Sequence, residues 1–416
     1  MRVIQLTTAL GGGGATNASY RLYRELLARG VTSCLWTAAA DETDENIEIL
    51  PAPGRIERLT QRITQYLGLY YVDIRSSFSL ATHPWMDEQS VLHLHNLHGG
   101  HFNYLALPTL TARRPAVWTL HDMWALTGHC VHSLDCERWQ IGCGHCPYLD
   151  THQPVNRDLT RVEWRFKASS YRRSKLVLVS PSRWLADKVR TSMLGHFPIH
   201  HIPNGIDTEC FRPLGKIFSR QSLELPTDRP ILLWCANRLT DQFKGGDLID
   251  DILQELPAEL RRQLLLVTFG VGTESLSRKL SVETRAFGFV ESDRLKALLY
   301  SSADLLIFPS RAENLPFVVM ESLACGLPVV AFRIGGVPEM VVEGTTGHLV
   351  PPFDVRLFAQ AVGQLMSSLE ECERMGREGR ALVEREFTTA RMADRYLELY
   401  LSILDEGRSG TLGLSR

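Results

Sequence analysis

The strongest constraint on how this chain can fold is a rhythm of short apolar runs, each followed by a stretch of helix length. Val3–Thr7, Ser33–Thr37, Val91–His95, Ala116–His121, Leu176–Ser180 and His200–Pro203 form one series. Ile231–Cys235, Leu264–Phe269, Arg285–Phe289, Leu305–Phe308, Val329–Phe332 and His348–Val350 form a second. Most are continuous runs rather than alternations of apolar with polar, as expected of parallel strands covered on both faces. Helical patterns lie between them: Ala18 to Arg29 sets Tyr20, Leu22, Tyr23, Leu26 and Leu27 broadly on one side and stops at Gly30. The sum is an α/β chain of two doubly wound parallel-sheet domains, with ligands expected at strand carboxyl ends. A chain of 416 residues can hold two such cores.

The boundary falls in Ile202 to Pro213, where Asn204-Gly205 is a turn signal and two prolines stiffen the passage. The expected division is 1–205, 206–388, and a closing segment 389–416. That segment holds a last helix, Thr389 to Leu404, and a frayed tail from Gly407. A net charge of −2 gives no reason to expect nucleic acid. By sign, 1–205 carries 21 basic and 17 acidic residues, which leaves the back half acidic. No apolar run is long enough to span a bilayer, and MRVIQLTT enters a strand directly without a signal-peptide pattern. A cytoplasmic protein is expected, peripheral on the inner face of the membrane if it touches one.

The most informative stretch is Pro309 to Val330. A buried strand ends at Pro309; Arg311 to Asn314 form a polar loop; Pro316 suits the first turn of a helix running to Cys325 and stopped by Gly326. Glu313 sits in the loop and Glu321 about two turns into the helix, so the two acids reach different parts of one elongated ligand. Helix-start N–H groups favour a phosphate between them. A capping acid and a solvated helix acid are the alternative. Arg238 and Lys244, in CANRLTDQFKGGDLI, follow the first strand of the second block. A guanidinium and an ammonium there could neutralise a diphosphate; solvated surface charge is the other reading.

The Pro309–Val330 stretch resembles the E-x7-E segment of the family-4 retaining glycosyltransferases. GGVPEMV and GTTGHLVPPFD resemble that family's tail, and Arg238 with Lys244-Gly245 resembles its R-x5-K-G pattern. The resemblance covers nearly the whole chain. It implies the GT-B fold, two Rossmann-like domains facing across a cleft, with the second binding the nucleotide-sugar donor and the last helix crossing back to the first. It also implies donor contacts from Gly13, Gly14, Arg238, Lys244, Glu313, Asn314, Leu315, Pro316 and Glu321. Glu313 would hold sugar hydroxyls, Glu321 the ribose, and His121 would lie beside the donor sugar.

In the first block, Gly11 to Gly14 let backbone approach a ligand at a helix start. A nicotinamide-dinucleotide fingerprint using Gly11, Gly13 and Asp41 fits poorly, because its third glycine would fall at Thr16. His121-Asp122 ends a strand, where a histidine can bond a sugar hydroxyl or be purely structural. HLHNLHGGHFN supplies His93, His95, His98 and His101. It reads as a wall of the acceptor site, with His98, Gly99 and Gly100 as contacts.

Cys130, Cys136, Cys143 and Cys146, within an insertion at 128–150, have the spacing of a structural zinc site. Free thiols, disulfides and an iron–sulfur cluster compete with it. The expectation is a structural Zn and no catalytic metal. Gly54 to Leu69 is a basic amphipathic helix, expected to pack on its own domain, with contact to an anionic membrane as the other reading.

The function expected is a retaining hexosyl transfer from a UDP-, GDP-, ADP- or dTDP-sugar to a hydroxyl of a glycan or lipid-linked glycan, in polysaccharide biosynthesis. Two rivals stand beside it: a nucleotide-sugar epimerase or hydrolase on the same fold, and a non-enzymatic zinc-dependent binding protein.

Overall fold

A computed structural model of the chain describes residues 1–10, 12–40, 44–151, 154–277 and 279–409. Gly11, Asp41 and the part of the expected tail at 410–416 lie outside the described residues. Contacts divide the chain into two units. Met1–Pro203 forms one together with the helix Thr389–Ser409, and Asn204–Thr388 forms the other.

The first unit holds strands β1 (Arg2–Thr7), β2 (Thr32–Thr37), β3 (Ile47–Ile49), β4 (Ser90–Leu94), β5 (Ala116–Thr119), β6 (Leu176–Ser180) and β7 (Ile199–His201). They make one parallel sheet in the order β3-β2-β1-β4-β5-β6-β7. Val3, Val91, Val117 and Val179 present one face of it to Leu22 and Leu26 of the helix Gly14–Ala28 and to Met392, Tyr396, Leu399 and Tyr400 of the last helix. Each such side chain taken from water contributes roughly 1.5–3 kcal/mol, which holds the C-terminal helix to this sheet.

The second unit holds β8 (Ile231–Arg238), β9 (Leu265–Val271), β10 (Glu283–Ala286), β11 (Leu305–Phe308), β12 (Val329–Phe332) and β13 (Gly347–Val350), again all parallel, in the order β10-β9-β8-β11-β12-β13. Asp304, buried just before β11, receives Arg220 at 2.8 Å, Lys216 at 2.7 Å and the Ile231 N–H at 2.8 Å. Ion pairing at the amino ends of the strands is thus structural.

In each sheet the order reverses once, between β1 and β4 and between β8 and β11. Loops leaving the carboxyl ends of such neighbours run to opposite faces and open a crevice between them.

Several elements differ from expectation for local reasons. β3 was not foreseen, being three residues on a half-exposed edge. β5 ends at Thr119 rather than His121, so both His121 and Asp122 lie in the turn beyond it. β10 covers Glu283–Ala286, not Arg285–Phe289: this edge strand pairs through polar residues, while the aromatic Phe289 is 57% exposed. The first helix starts at Gly14, not Ala18, and Pro316 is the N-cap residue rather than part of the first turn. The helix Arg55–Leu67 has no buried residue, against the expectation that its apolar side packs on the domain.

Candidate functional site

In the second unit, the site is built where β8 and β11 end. β8 runs past Cys235 through an irregularity and ends on Arg238, whose side chain is exposed and makes no hydrogen bond or ion pair among the described residues. A short turn then carries Lys244. Its ammonium lies 2.7 Å from Glu313 Oε1, in the loop after β11. Partial burial works against the lysine's charge, but Glu313 outweighs it and holds the pKa above the ordinary lysine value.

Two glycines make this approach feasible. A Cβ on Gly245 would sit 2.0 Å from the Pro309 carbonyl oxygen, and one on Gly335 would sit 1.7 Å from that of Glu313; both residues have positive φ. The backbone is clamped from both sides, by Arg311 N–H donating to Phe243 O at 2.7 Å and Gly336 N–H donating to Asn314 O at 2.9 Å. Asn314, Leu315 and Pro316 are buried as the chain turns into the helix Phe317–Ala324. No side chain caps that helix start.

Glu321, on the second turn, is buried and accepts from Tyr300 Oη at 3.1 Å. Tyr300 has no motif around it, and spacing reveals neither it nor Asp247, which pairs with Arg311.

The first unit places its candidates at the ends of β1, β4 and β5, three neighbours in the sheet. Gly13 is the N-cap residue of the first helix and Gly14 its first residue. Thr8, just past β1, donates to the His98 carbonyl at 3.0 Å and packs against Gly99. His98 Nε2 lies 2.8 Å from Asp122 Oδ2. Burial would raise the Asp122 pKa, but His98 and the Trp124 N–H bring it down to about 2. His98, Gly99 and Gly100 therefore form one loop tied to the turn that holds His121 and Asp122.

Behind them runs a chain of neutral groups. His121 Nε2 is 3.0 Å from His95 Nδ1, and His95 Nε2 faces the Gln5 side chain. Gln5 satisfies its neighbours in one orientation only, its nitrogen donating to Ser19 O (3.1 Å) and His95 Nε2 (2.9 Å), its oxygen accepting from Tyr23 N–H (3.2 Å). His95 must then carry its proton on Nδ1 and donate to His121 Nε2, which leaves the His121 proton on Nδ1. Burial pushes the His121 pKa down to about 4 and those of His93 and His95 well below the usual value, so these rings stay neutral. His93 faces inward to Thr119 and Tyr400, both at 2.7 Å. Of the four clustered histidines, only His98 touches a charge that the structure shows. Gln5 was missed because a lone glutamine in an apolar strand carries no signal.

Cys130, Cys136, Cys143 and Cys146 line one cavity with His129, Trp139 and Thr160, and none is disulfide-bonded. Gly142 to Gly144 and His145 form a turn of four successive positive-φ residues, two of them not glycine. Such a turn costs energy and must be held from outside. Gly128 N–H donates to Cys143 Sγ at 3.2 Å, Cys146 N–H to Asp158 at 2.8 Å, and His129 lies 3.3 Å from Cys146 Sγ. Among the described residues, no three His, Cys, Asp or Glu side chains are grouped so as to hold a metal ion. Beneath the module, Lys167 is buried. Its ammonium donates to Trp124 O (2.8 Å) and Thr127 O (3.0 Å), and burial lowers its pKa to about 8.

Comparison with known proteins bears on both units. The sequence family described as Glycosyltransferase Family 4 matches residues 12–210, and Glycosyl transferases group 1 matches residues 216–382. A protein of Escherichia coli K12, WcaC, whose name assigns it to colanic acid biosynthesis as a glycosyl transferase, is 26% identical over 86% of this chain and 90% of its own. A GDP-mannose-dependent phosphatidylinositol monomannoside mannosyltransferase of Mycolicibacterium smegmatis is 32% identical, over 49% of this chain and 56% of its own length. The match thus spans little more than half of that relative. Among solved structures, a sucrose-phosphate synthase of Thermosynechococcus elongatus superposes with a TM-score of 0.72 at 20% identity, covering 97% of this chain and 99% of the other. Alr3699/HepE of Anabaena, solved with UDP-glucose, gives 0.66 at 16% identity, covering 97% and 100%. The shared architecture is GT-B, two Rossmann-like parallel-sheet domains.

Proposed function

We propose, for a chain that belongs to the GT-B glycosyltransferases of family-4 type, a retaining transfer of a hexose from a nucleotide-sugar donor to a hydroxyl of a glycan or lipid-linked glycan. The observation that carries this reading is the meeting of Lys244 and Glu313 at 2.7 Å at the switch point of the second sheet, with Arg238, unpaired among the described residues, on the adjoining strand end. The pair gives an anionic ligand one cation already in place and a second to complete the site. Arg238 and Lys244 would neutralise the diphosphate, Glu313 would turn to the sugar hydroxyls and Glu321 would accept from the ribose. In the first unit, His98, Gly99 and Gly100 would contact the acceptor and His121 the donor sugar.

Bonding balances without an enzyme nucleophile. The acceptor oxygen bonds to the anomeric carbon on the face from which the bond to the diphosphate oxygen breaks. The acceptor proton passes to that diphosphate, whose charge the two cations hold. Thermal unfolding with UDP, GDP, ADP and dTDP in turn tests the donor half. One nucleotide should raise the midpoint in wild type and not in Lys244→Ala. No shift with any of the four would remove the donor assignment.

Structural zinc at the four cysteines belongs to the same reading, supported by their shared cavity and by a strained turn in need of a tie; the thiols, not grouped as ligands among the described residues, would have to close on the ion. Metal analysis should return about one zinc per chain. A folded protein without zinc would discard it.

A further inference from the structure

The geometry points to the helix Arg55–Leu67 as a docking surface for an anionic lipid bilayer. A surface helix of a globular protein turns its apolar side inward. This one is inverted. Glu57, Thr60, Gln61, Thr64 and Gln65 are its less exposed residues, so the side toward the domain is the polar one. It is held there by Glu57, whose carboxylate accepts from the N–H groups of Gly54 (2.6 Å) and Arg75 (2.8 Å). Ile56, Leu59, Ile63 and Tyr66 are 71, 60, 55 and 59% exposed and fall on one stripe of the outer side. Contiguous exposed apolar surface of this kind marks an interaction site.

Charge decides the occupant. Arg55, Arg58 and Arg62 are exposed and line one edge of the stripe, three and four residues apart. Arg157 donates to Tyr66 Oη at 2.8 Å and stacks 4.5 Å over its ring, bringing a fourth cation to the same surface. The helix carries a single acid, Glu57, and it faces the other way. An apolar stripe bordered by arginines fits the boundary of a bilayer, where acyl chains lie beneath anionic headgroups. No helix among the described residues is long and apolar enough to cross a membrane, so the contact proposed is one of lying on the surface.

This goes beyond the sugar chemistry and is read without it. The full chain is floated with vesicles of phosphatidylcholine alone and of phosphatidylcholine with phosphatidylglycerol. Binding is expected to the anionic vesicles only, and to weaken as salt is raised. Arg58→Gln with Arg62→Gln should lower the partition constant on the order of thirtyfold, and Leu59→Ser with Ile63→Ser about tenfold. Both pairs are exposed, so thermal unfolding should be unchanged and reports any variant that misfolds. Equal binding to the two vesicle types, binding to neither, or well-folded variants that bind like the wild type would each overturn the proposal.

Discussion

The two switch-point sites solve different problems with different physics. In the second unit, charges are kept: Lys244 and Glu313 stand 2.7 Å apart and the lysine is held protonated. At the strand ends of the first, the inner groups are neutral: His93, His95 and His121 lie in a buried chain where protonation is disfavoured, and an ion-pair geometry, His98 with Asp122, lies beside it. A pocket for a nucleoside diphosphate must offer cations. A surface that orients neutral hydroxyls needs fixed donors and acceptors, and a neutral imidazole of known tautomer is one.

The harshest way to break this contrast is to remove the second unit's charge. Lys244→Ala is expected to lower the transfer rate by a factor of about 10²–10³, the usual scale for losing one preorganised stabiliser of developing charge. Glu313→Ala should do the same through the sugar hydroxyls, with the fold retained in both. Transfer rates close to wild type in either variant would show that the pair is merely a structural tie.

A milder change tests the first unit. Gln5→Glu replaces the amide that donates to His95 with a carboxylate that accepts, at nearly constant shape. His95 would then place its proton on Nε2 and accept from His121, reversing the chain. The rate is expected to fall about tenfold with little change in donor affinity, because a misprotonated ring is lost as a hydrogen-bond donor but not as a wall. Nitrogen chemical shifts of the two imidazoles should exchange their protonation pattern. An unmoved pattern would place the control of His121 elsewhere.

How much of this was legible in the sequence differs between the sites for the same reason. In the second, residue type and spacing left Arg238, Lys244, Glu313 and Glu321 open to being solvated surface charges, and the resemblance to the E-x7-E and R-x5-K-G patterns singled them out; the structure brings Lys244 and Glu313 together. Even there Tyr300, the partner of Glu321, was silent, because it reaches the site from a helix preceding β11. In the first unit His121 and His98 were visible. Their wiring was not, since it depends on which strands are neighbours, and β1, β4 and β5 come from residues far apart in the chain. Most strands are visible as apolar runs; β3, which has none, and β10, which lies two residues before its run, are edges where burial writes no pattern. The helix at 55–67 was seen as amphipathic, but periodicity is symmetric with respect to inside and outside.

The test that separates the units most cleanly is the pH dependence of local stability. His121 titrates at about 4 in the folded protein and His101 at about 3, both driven down by burial, against about 6.5 in an unfolded chain. Between those values the unfolded state binds more protons, so stability is lost as pH falls from about 6.5 toward 4, by up to about 1.4 kcal/mol per pH unit for each such histidine. Lys244 has the opposite sign: its raised pKa makes the stabilisation complete below the ordinary lysine value and lost as pH climbs through the folded one. Amide exchange, corrected for intrinsic rates, should therefore show acid loosening β4 and β5 and strong alkali loosening the β8 and β11 ends. The transfer rate, per folded molecule, should show no inflection from His121 at any pH above about 5, because the ring is already neutral there. Acid loosening confined to the second unit would mean that the histidine chain is not the neutral, buried element the contrast requires.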